Sequence, residues 1–288
     1  MYHDRTRIRE AWSAFWRDPA SGMQCVRGAP DITQAMHGHW SQFAAALPPG
    51  ARVLDLGCGA GAASGAVVAA RPDLEVTGID FALVPPSRNT RITLVSSMPM
   101  EQLSFQDACF DAVASQFGYE YGRTHKTARQ LARVLAPEAK FSLIVHHAGS
   151  TVVATNRARL AMIRAIYEPD MRAAFLSANA FALDMKLAAL LRAHPNDALV
   201  QELSRLLPVR VRQRVHQRTL AWTALENALA PERTILEALD ACCVDAEELD
   251  GWLGPLRQFC AVTTTSILRK PNGDPIAWRI EGVRLPPA

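Results

Sequence analysis

The chain has 288 residues, 49% of them hydrophobic and 20% charged, with a formal net charge of +3. That length buries a full core without disulfide or metal staples, and the composition excludes a disordered chain. So small a net charge gives no argument for nucleic-acid binding, and no window reaches the roughly 18 apolar residues of a membrane span.

Residues 1–48 read as a helical N-terminal segment rich in aromatics, with Trp12, Phe15 and Trp16 on one helical face. Such a stripe serves either as core or as a lid. Met1 to Glu10 is charged with no apolar stretch behind it, which predicts no secretory leader and a cytoplasmic location. His37 and His39 beside Trp40 lack a third ligand at metal spacing and read as structural or surface residues. Pro48-Pro49-Gly50 then breaks the chain.

Residues 49–150 alternate short apolar runs with helical stretches, as βαβ units do. Strands are predicted at Arg52–Leu56, Leu74–Ile79, Ile92–Val95, Phe110–Ser115 and Ala139–Val145, with helices at Ala60–Ala70 and Thr127–Leu135. Only about a dozen residues, Pro85 and Pro86 among them, separate the second and third strands, so the crossover helix there is short or missing. Residues 151–258 are dominated by helix formers, punctuated by Pro195, Pro208 and Pro231, and predict a helical cap inserted after strand five. In 259–288, Val262–Leu268 and Ile276–Val283 flank Asn272-Gly273, a strong hairpin signal. The cysteines (Cys25, Cys58, Cys109, Cys242, Cys243 and Cys260) show no zinc spacing and read as reduced thiols, with no metal site expected.

The chemistry concentrates in Val53-Leu54-Asp55-Leu56-Gly57-Cys58-Gly59-Ala60-Gly61, a buried strand feeding a glycine-rich turn that opens a helix. Glycines let backbone N–H groups approach a ligand, and a helix N-terminus favours a carboxylate or phosphate. Gly57, Gly59 and Ala62 also satisfy the dinucleotide pattern, so the glycines alone leave both cofactors open. Asp55 discriminates. It would oppose the pyrophosphate of NAD but favours the ammonium and sulfonium of S-adenosylmethionine. Asp80, ending strand two, is placed to accept from a ribose diol; alone, it could equally cap a helix.

With Asp55 to Gly61, Asp80, Phe110-Asp111-Ala112-Val113 and Leu135-Ala136-Pro137-Glu138 in that order, the chain resembles the class I S-adenosylmethionine-dependent methyltransferases over residues 51–147 and the terminal hairpin. The resemblance implies an α/β, Rossmann-like, seven-stranded sheet whose last strand is antiparallel. It implies that Gly57, Cys58, Gly59 and Gly61 line the cofactor and Asp55 lies near its amino-acid end. Asp80 takes the ribose hydroxyls, and Phe81 or Met98 flanks the adenine. The acid that many relatives place after strand three is replaced by Ser96-Ser97-Met98-Pro99-Met100-Glu101, where a backbone carbonyl or Glu101 would substitute. Glu138-Ala139 stands where the family usually has two glycines.

The residues after strand four, which in the family face the transferred methyl, are Ser115-Gln116-Phe117-Gly118-Tyr119-Glu120-Tyr121. They lack the Asn/Asp-Pro-Pro-aromatic motif of base N-methyltransferases, and the chain lacks a Pro-Cys nucleophile and a catechol-type carboxylate cluster. A small-molecule acceptor and no metal are therefore expected, without membrane or nucleic acid, and the helical cap offers a surface for a homo-oligomer. Ser115 and Gln116 are candidate cofactor contacts, and Tyr119 and Tyr121 candidate acceptor contacts. His146 and His147 are candidate general bases at the ligand-binding sheet edge, and Glu120 reads as a surface or salt-bridge residue. Arg210, Arg212, Arg214 and Arg218 would form a positive helical face, either solvated or capturing an anion. The leading reading is methyl transfer to an O or N atom of a small metabolite. The alternatives are a non-catalytic S-adenosylmethionine- or adenosylhomocysteine-binding protein and, behind it, an NAD-dependent oxidoreductase.

Overall fold

A computed structural model of the chain describes residues 5–18, 30–122 and 124–286; Cys25 lies outside them. Two compact units divide the chain: residues through Thr155 together with those from Ala238 onward, and Asn156–Glu237.

In the first unit a seven-stranded sheet runs in the order β3-β2-β1-β4-β5-β7-β6. β1 (Arg52–Leu56), β2 (Glu75–Ile79), β3 (Ile92–Val95), β4 (Phe110–Gln116) and β5 (Leu135–Val145) are parallel. β7 (Pro275–Arg284) lies antiparallel between β5 and β6 (Cys260–Arg269). This is the Rossmann-like sheet expected from the sequence, its antiparallel last strand included. The short β2–β3 connection carries no helix, as its length required.

Alternation along the strands makes two cores. Leu54, Leu56, Val113, Phe141 and Leu143 join residues of α4 (Thr124–Val134) and α10 (Leu249–Arg257). Val53, Val76, Ala112, Ala114 and Ile144 join Trp40 and Phe43 of α2 (Pro30–Ala45) and Val67 of α3 (Ala62–Ala70). Trp40 is fully buried, so truncating it would cost about 3–5 kcal/mol. Because Val53 and Asp55 share a face, the Asp55 carboxylate points to the α3 side. The order reverses between β1 and β4, and at such a switch point ligands bind beyond the carboxyl ends of the strands.

The second unit holds its own core of Ile163, Phe175, Leu187, Leu203 and Trp222. These come from α5 (Thr151–Ile166), α6 (Pro169–Leu176), α7 (Ala180–Ala193), α8 (Ala198–Arg210) and α9 (Val215–Cys242). It is narrower than the 151–258 drawn from the sequence. Val152 of α5 is buried with the α2–α3 core, and α10 packs on α4 and β6. Two prolines do not act as breaks: Pro208 lies within α8 and Pro231 within α9. Each removes one helix hydrogen bond, and the buried positions on either side, such as Leu229 and Leu236, hold the helix together. The arginines are also not one helical face. Arg210 ends α8, Arg212 and Arg214 lie between helices, and Arg218, in α9, donates to the carbonyls of Leu176 and Gln213. Arg218 is a chain tie.

His39 is structural, as its isolation from other ligands suggested. Its Nε2 lies 2.9 Å from Ser142 Oγ, inside the core between α2 and β5. Burial, with the Arg279 charge second, pushes its imidazole down to about 4 from 6.5. An unfolded histidine takes up a proton that the folded one refuses, so stability is lost as pH falls from about 6.5 to about 4. Urea unfolding at pH 7 and pH 5 should show a drop in the wild type that His39→Asn reduces.

A second expectation concerns β7. A Cβ on Gly282 would stand 2.1 Å from the Ala261 carbonyl oxygen and 2.7 Å from the Phe141 ring, whereas one on Gly251 in α10 meets nothing within 4 Å. Gly282→Ala should destabilise by about 2 kcal/mol or more, and Gly251→Ala should stabilise by up to about 1 kcal/mol. Denaturant midpoints of the two variants check this.

Candidate functional site

The turn after β1 is built from left-handed backbone. Gly57, Gly59 and Gly61 have φ of 68°, 52° and 85°, a region costly for any residue with a side chain. Gly61 N-caps α3 in that conformation. Below the turn, Asp55 Oδ2 accepts from the Ser64 hydroxyl at 2.6 Å and the Ser64 N–H at 3.2 Å. That anchors the first turn of α3 to β1. The other oxygen, Oδ1, is buried with no hydrogen-bond partner, and burial raises the carboxyl to about 7. The Cys58 side chain turns away from the loop's open side and packs where a Gly78 side chain would stand, so Cys58 can offer a ligand only its backbone.

Asp80 is tied to the same turn. Its Oδ2 accepts from the Gly59 N–H at 2.9 Å and its Oδ1 from the Ala82 N–H at 2.7 Å. No helix follows for it to cap; it holds two loop N–H groups instead, and each oxygen keeps a second lone pair that could accept from a hydroxyl. Burial raises its carboxyl above the ordinary range. Two acids, one with an unpartnered oxygen, around a left-handed glycine turn suit a cationic ligand bearing a diol. The donor set fits S-adenosylmethionine and opposes a pyrophosphate.

After β2 and β3, Phe81 and Met98 are half-buried, and Met98 donates its N–H to the Asp80 carbonyl at 2.9 Å. Glu101 is held by Arg5 of α1 (Arg5–Arg17), whose guanidinium also lies 4.9 Å from the centre of the Phe81 ring.

The segment after β4 departs furthest from expectation. Ser115 is fully buried and its hydroxyl is spent inside the protein, donating to the Leu56 carbonyl at 2.7 Å and accepting from the Tyr119 N–H at 2.9 Å. It straps β1 to β4, its one proton committed and the side chain out of reach of a ligand. Gln116 Oε1 accepts from the Trp40 indole at 2.6 Å. Tyr119 is also corrected: its ring is buried edge-on to Trp252 in the α4–α10 core, and burial pushes its phenol further up, away from any acid–base use. Tyr121 stays at the site, edge-on to both Trp12 and His146.

Glu120, read from the sequence as a surface or salt-bridge residue, is not on the surface but buried in a pair with His146. Its Oε1 accepts from the His146 backbone N–H at 2.9 Å and lies 2.6 Å from His146 Nδ1. That acceptor places the ring proton on Nδ1 and leaves the Nε2 lone pair open. Nε2 is buried with no hydrogen-bond partner. Phe117 stacks on the imidazole at 4.2 Å, held at a left-handed φ of 55°. His147 instead stacks on Trp278 and accepts from the Gly149 N–H at 2.8 Å, the loop-holding role. Nothing local in the sequence marked Glu120; its partner is 26 positions away. Arg5, Ser64 and Phe117 were missed for the same reason.

The aromatic stripe of α1 completes the surround. Trp12 and Trp16 stack at 5.7 Å, and Trp16 ring atoms stand 2.4 Å from where a Gly59 Cβ would be.

Residues 53–138 match a family model described as "Methyltransferase domain". No sequence match to a curated protein was found. Among solved structures, the chain aligns with one from the complex between the Haloferax volcanii Trm112 methyltransferase activator and a methyltransferase. The TM-score is 0.52 at 13% identity, covering 96% of this chain and 98% of that one. It also aligns with the Burkholderia thailandensis 1,6-didemethyltoxoflavin-N1-methyltransferase, solved with 1,6-didemethyltoxoflavin and S-adenosylhomocysteine (TM-score 0.48, 12% identity, 98% and 88% covered). Residues 53–138 thus carry a methyltransferase domain, set in a seven-stranded sheet of the Rossmann-like methyltransferase fold.

Proposed function

We propose that this methyltransferase acts on an oxygen or nitrogen of a small molecule that arrives still carrying its proton, with His146 as the general base. The observation behind this reading is the buried Glu120–His146 pair. S-adenosylmethionine supplies an electrophilic methyl carbon on a sulfonium. What this chain must add is position, exclusion of water and a place for the acceptor's proton. Glu120 fixes the tautomer, and Phe117 fixes the ring plane of His146. With the cofactor bound, His146 Nε2 would take the proton that the acceptor oxygen or nitrogen loses on gaining the methyl group, whose bond to the sulfonium breaks to leave a thioether. An acceptor already ionised, or a carbon nucleophile, would have less use for such a pair. Tyr121, edge-on to His146, gives the neighbourhood an aromatic surface suited to a flat or apolar acceptor.

Calorimetry comes first. S-adenosylmethionine and S-adenosylhomocysteine should bind in the micromolar range, NAD should not, and Asp80→Asn should weaken both ligands by about tenfold, the loss of one charged hydrogen-bond acceptor. NAD binding alone would send the search to hydride transfer. Binding without turnover on any hydroxyl or amino acceptor would favour a non-catalytic binding protein.

With an acceptor in hand, His146→Asn should lower kcat by about a hundredfold or more and leave S-adenosylhomocysteine affinity unchanged. The deficit should narrow at alkaline pH, where the acceptor loses its proton unaided. Glu120→Gln should fall between the two enzymes. A flat pH profile shared by all three would refute the base.

A further inference from the structure

The loops that cradle the cofactor in this fold all meet one helix, α1. At its first residue, Arg5 Nη1 and Nη2 donate to the two Glu101 oxygens at 3.1 and 3.2 Å, while the guanidinium covers the Phe81 ring. In its middle, Ser13 Oγ accepts from the Leu83 N–H at 2.9 Å while donating to the Arg9 carbonyl at 2.6 Å. Near its end, the Trp16 indole lies against the bare backbone of Gly59. Arg5 and Trp16 stand about 16 Å apart along the helix axis, on the order of the span of a nucleoside joined to an amino acid. One end covers the face that would stack on adenine and the acid at its edge. The other covers the glycine turn that would pass beneath the amino-acid portion.

These contacts are specific. A forked arginine–carboxylate pair with a cation over an aromatic face is a strong and directional arrangement. Side-chain exposure of Glu101 in that pair is only 9%. Trp16 stacks on Trp12, which in turn meets Tyr121, so the helix is held at the cofactor end and the acceptor end together.

Resting on the methyltransferase reading, we propose that α1 is a built-in competitor for the cofactor trough. Docked through Arg5 and Trp16, it holds both ends of the cofactor's seat, and cofactor binding requires those two contacts to open. The apparent affinity is then the intrinsic affinity reduced by the fraction of molecules with α1 undocked.

The test is titration of S-adenosylhomocysteine into the full chain and into Arg5→Ala, Trp16→Ala and the double variant. Each single variant should bind about threefold to tenfold more tightly than wild type, and the double variant more tightly still. Equal or weaker binding in folded variants would overturn the proposal, since α1 would then be neutral or part of the bound cofactor's own walls. Hydrogen exchange on the unmutated protein gives a second readout that does not depend on the variants folding. The α1 amides should exchange faster with S-adenosylhomocysteine present, and slower exchange would mean a lid closing on the ligand. Failure of every form of the protein to bind would sink the methyltransferase reading itself and this proposal with it.

Discussion

Two loops are pressed together at the carboxyl edge of the sheet, and the site is arranged around that contact. A side chain on Gly57 would stand 2.7 Å from the Gly118 backbone, and one on Gly118 would stand 2.5 Å from the Leu56 carbonyl oxygen. Neither position tolerates even a methyl group. The Ser115 strap tightens the same seam from below. With β4 ending so close to β1, its chain has to turn at once, which puts Phe117 in the left-handed region and leads directly into the short 3-10 turn Tyr119–Tyr121. That turn carries Glu120 to His146. Such strain persists only where the surroundings over-determine it, and here they do.

The polar groups of the site are committed in two directions. Asp80 spends hydrogen-bonding capacity on the glycine turn and Asp55 on Ser64 in the helix that follows it, so the cradle is held in shape by the same acids that favour a cation within it. Glu120 spends its capacity on a single histidine. The first arrangement is preorganised for charge already present in the ligand, and the second for charge that appears only when a proton moves. They sit at the ends of neighbouring strands, and the fold keeps them separate by facing Asp55 toward α3 beneath the turn.

Much of this was legible in the sequence. Short apolar runs and the Asn272-Gly273 turn marked every strand within a few residues, and the glycine turn with its two acids marked the cofactor end of the site. Those signals are local, set by backbone needs within a few positions. What the sequence could not show was how the loop after β4 spends its side chains. Ser115 and Tyr119 look like site residues because they follow the strand, yet they turn inward. Glu120 reads as a surface or salt-bridge residue, and only the fold shows that its partner is the imidazole at the end of β5, deep inside the protein. Pro208 and Pro231 read as breaks, because a proline's cost is local whereas the burial that outweighs it is spread over a whole helix face. Glu138 is a milder instance: it occupies a left-handed φ of 60° where the related motif has glycine, a strain carried by the sheet around it.

The antiparallel insertion of β7 has a consequence for how the protein is made. β5 ends at Val145 and its outer neighbour begins at Pro275, with the helical unit emerging in between. At ordinary translation rates that delay is on the order of ten seconds. For that interval the outer edge of β5, with the largely apolar run Phe141 to Val145, has no strand beside it, although the five parallel strands have all been synthesised. An unpaired apolar edge is a template for association with other chains. The nascent chain thus passes through a stage at which that edge is open to pairing, which the finished sheet does not reveal.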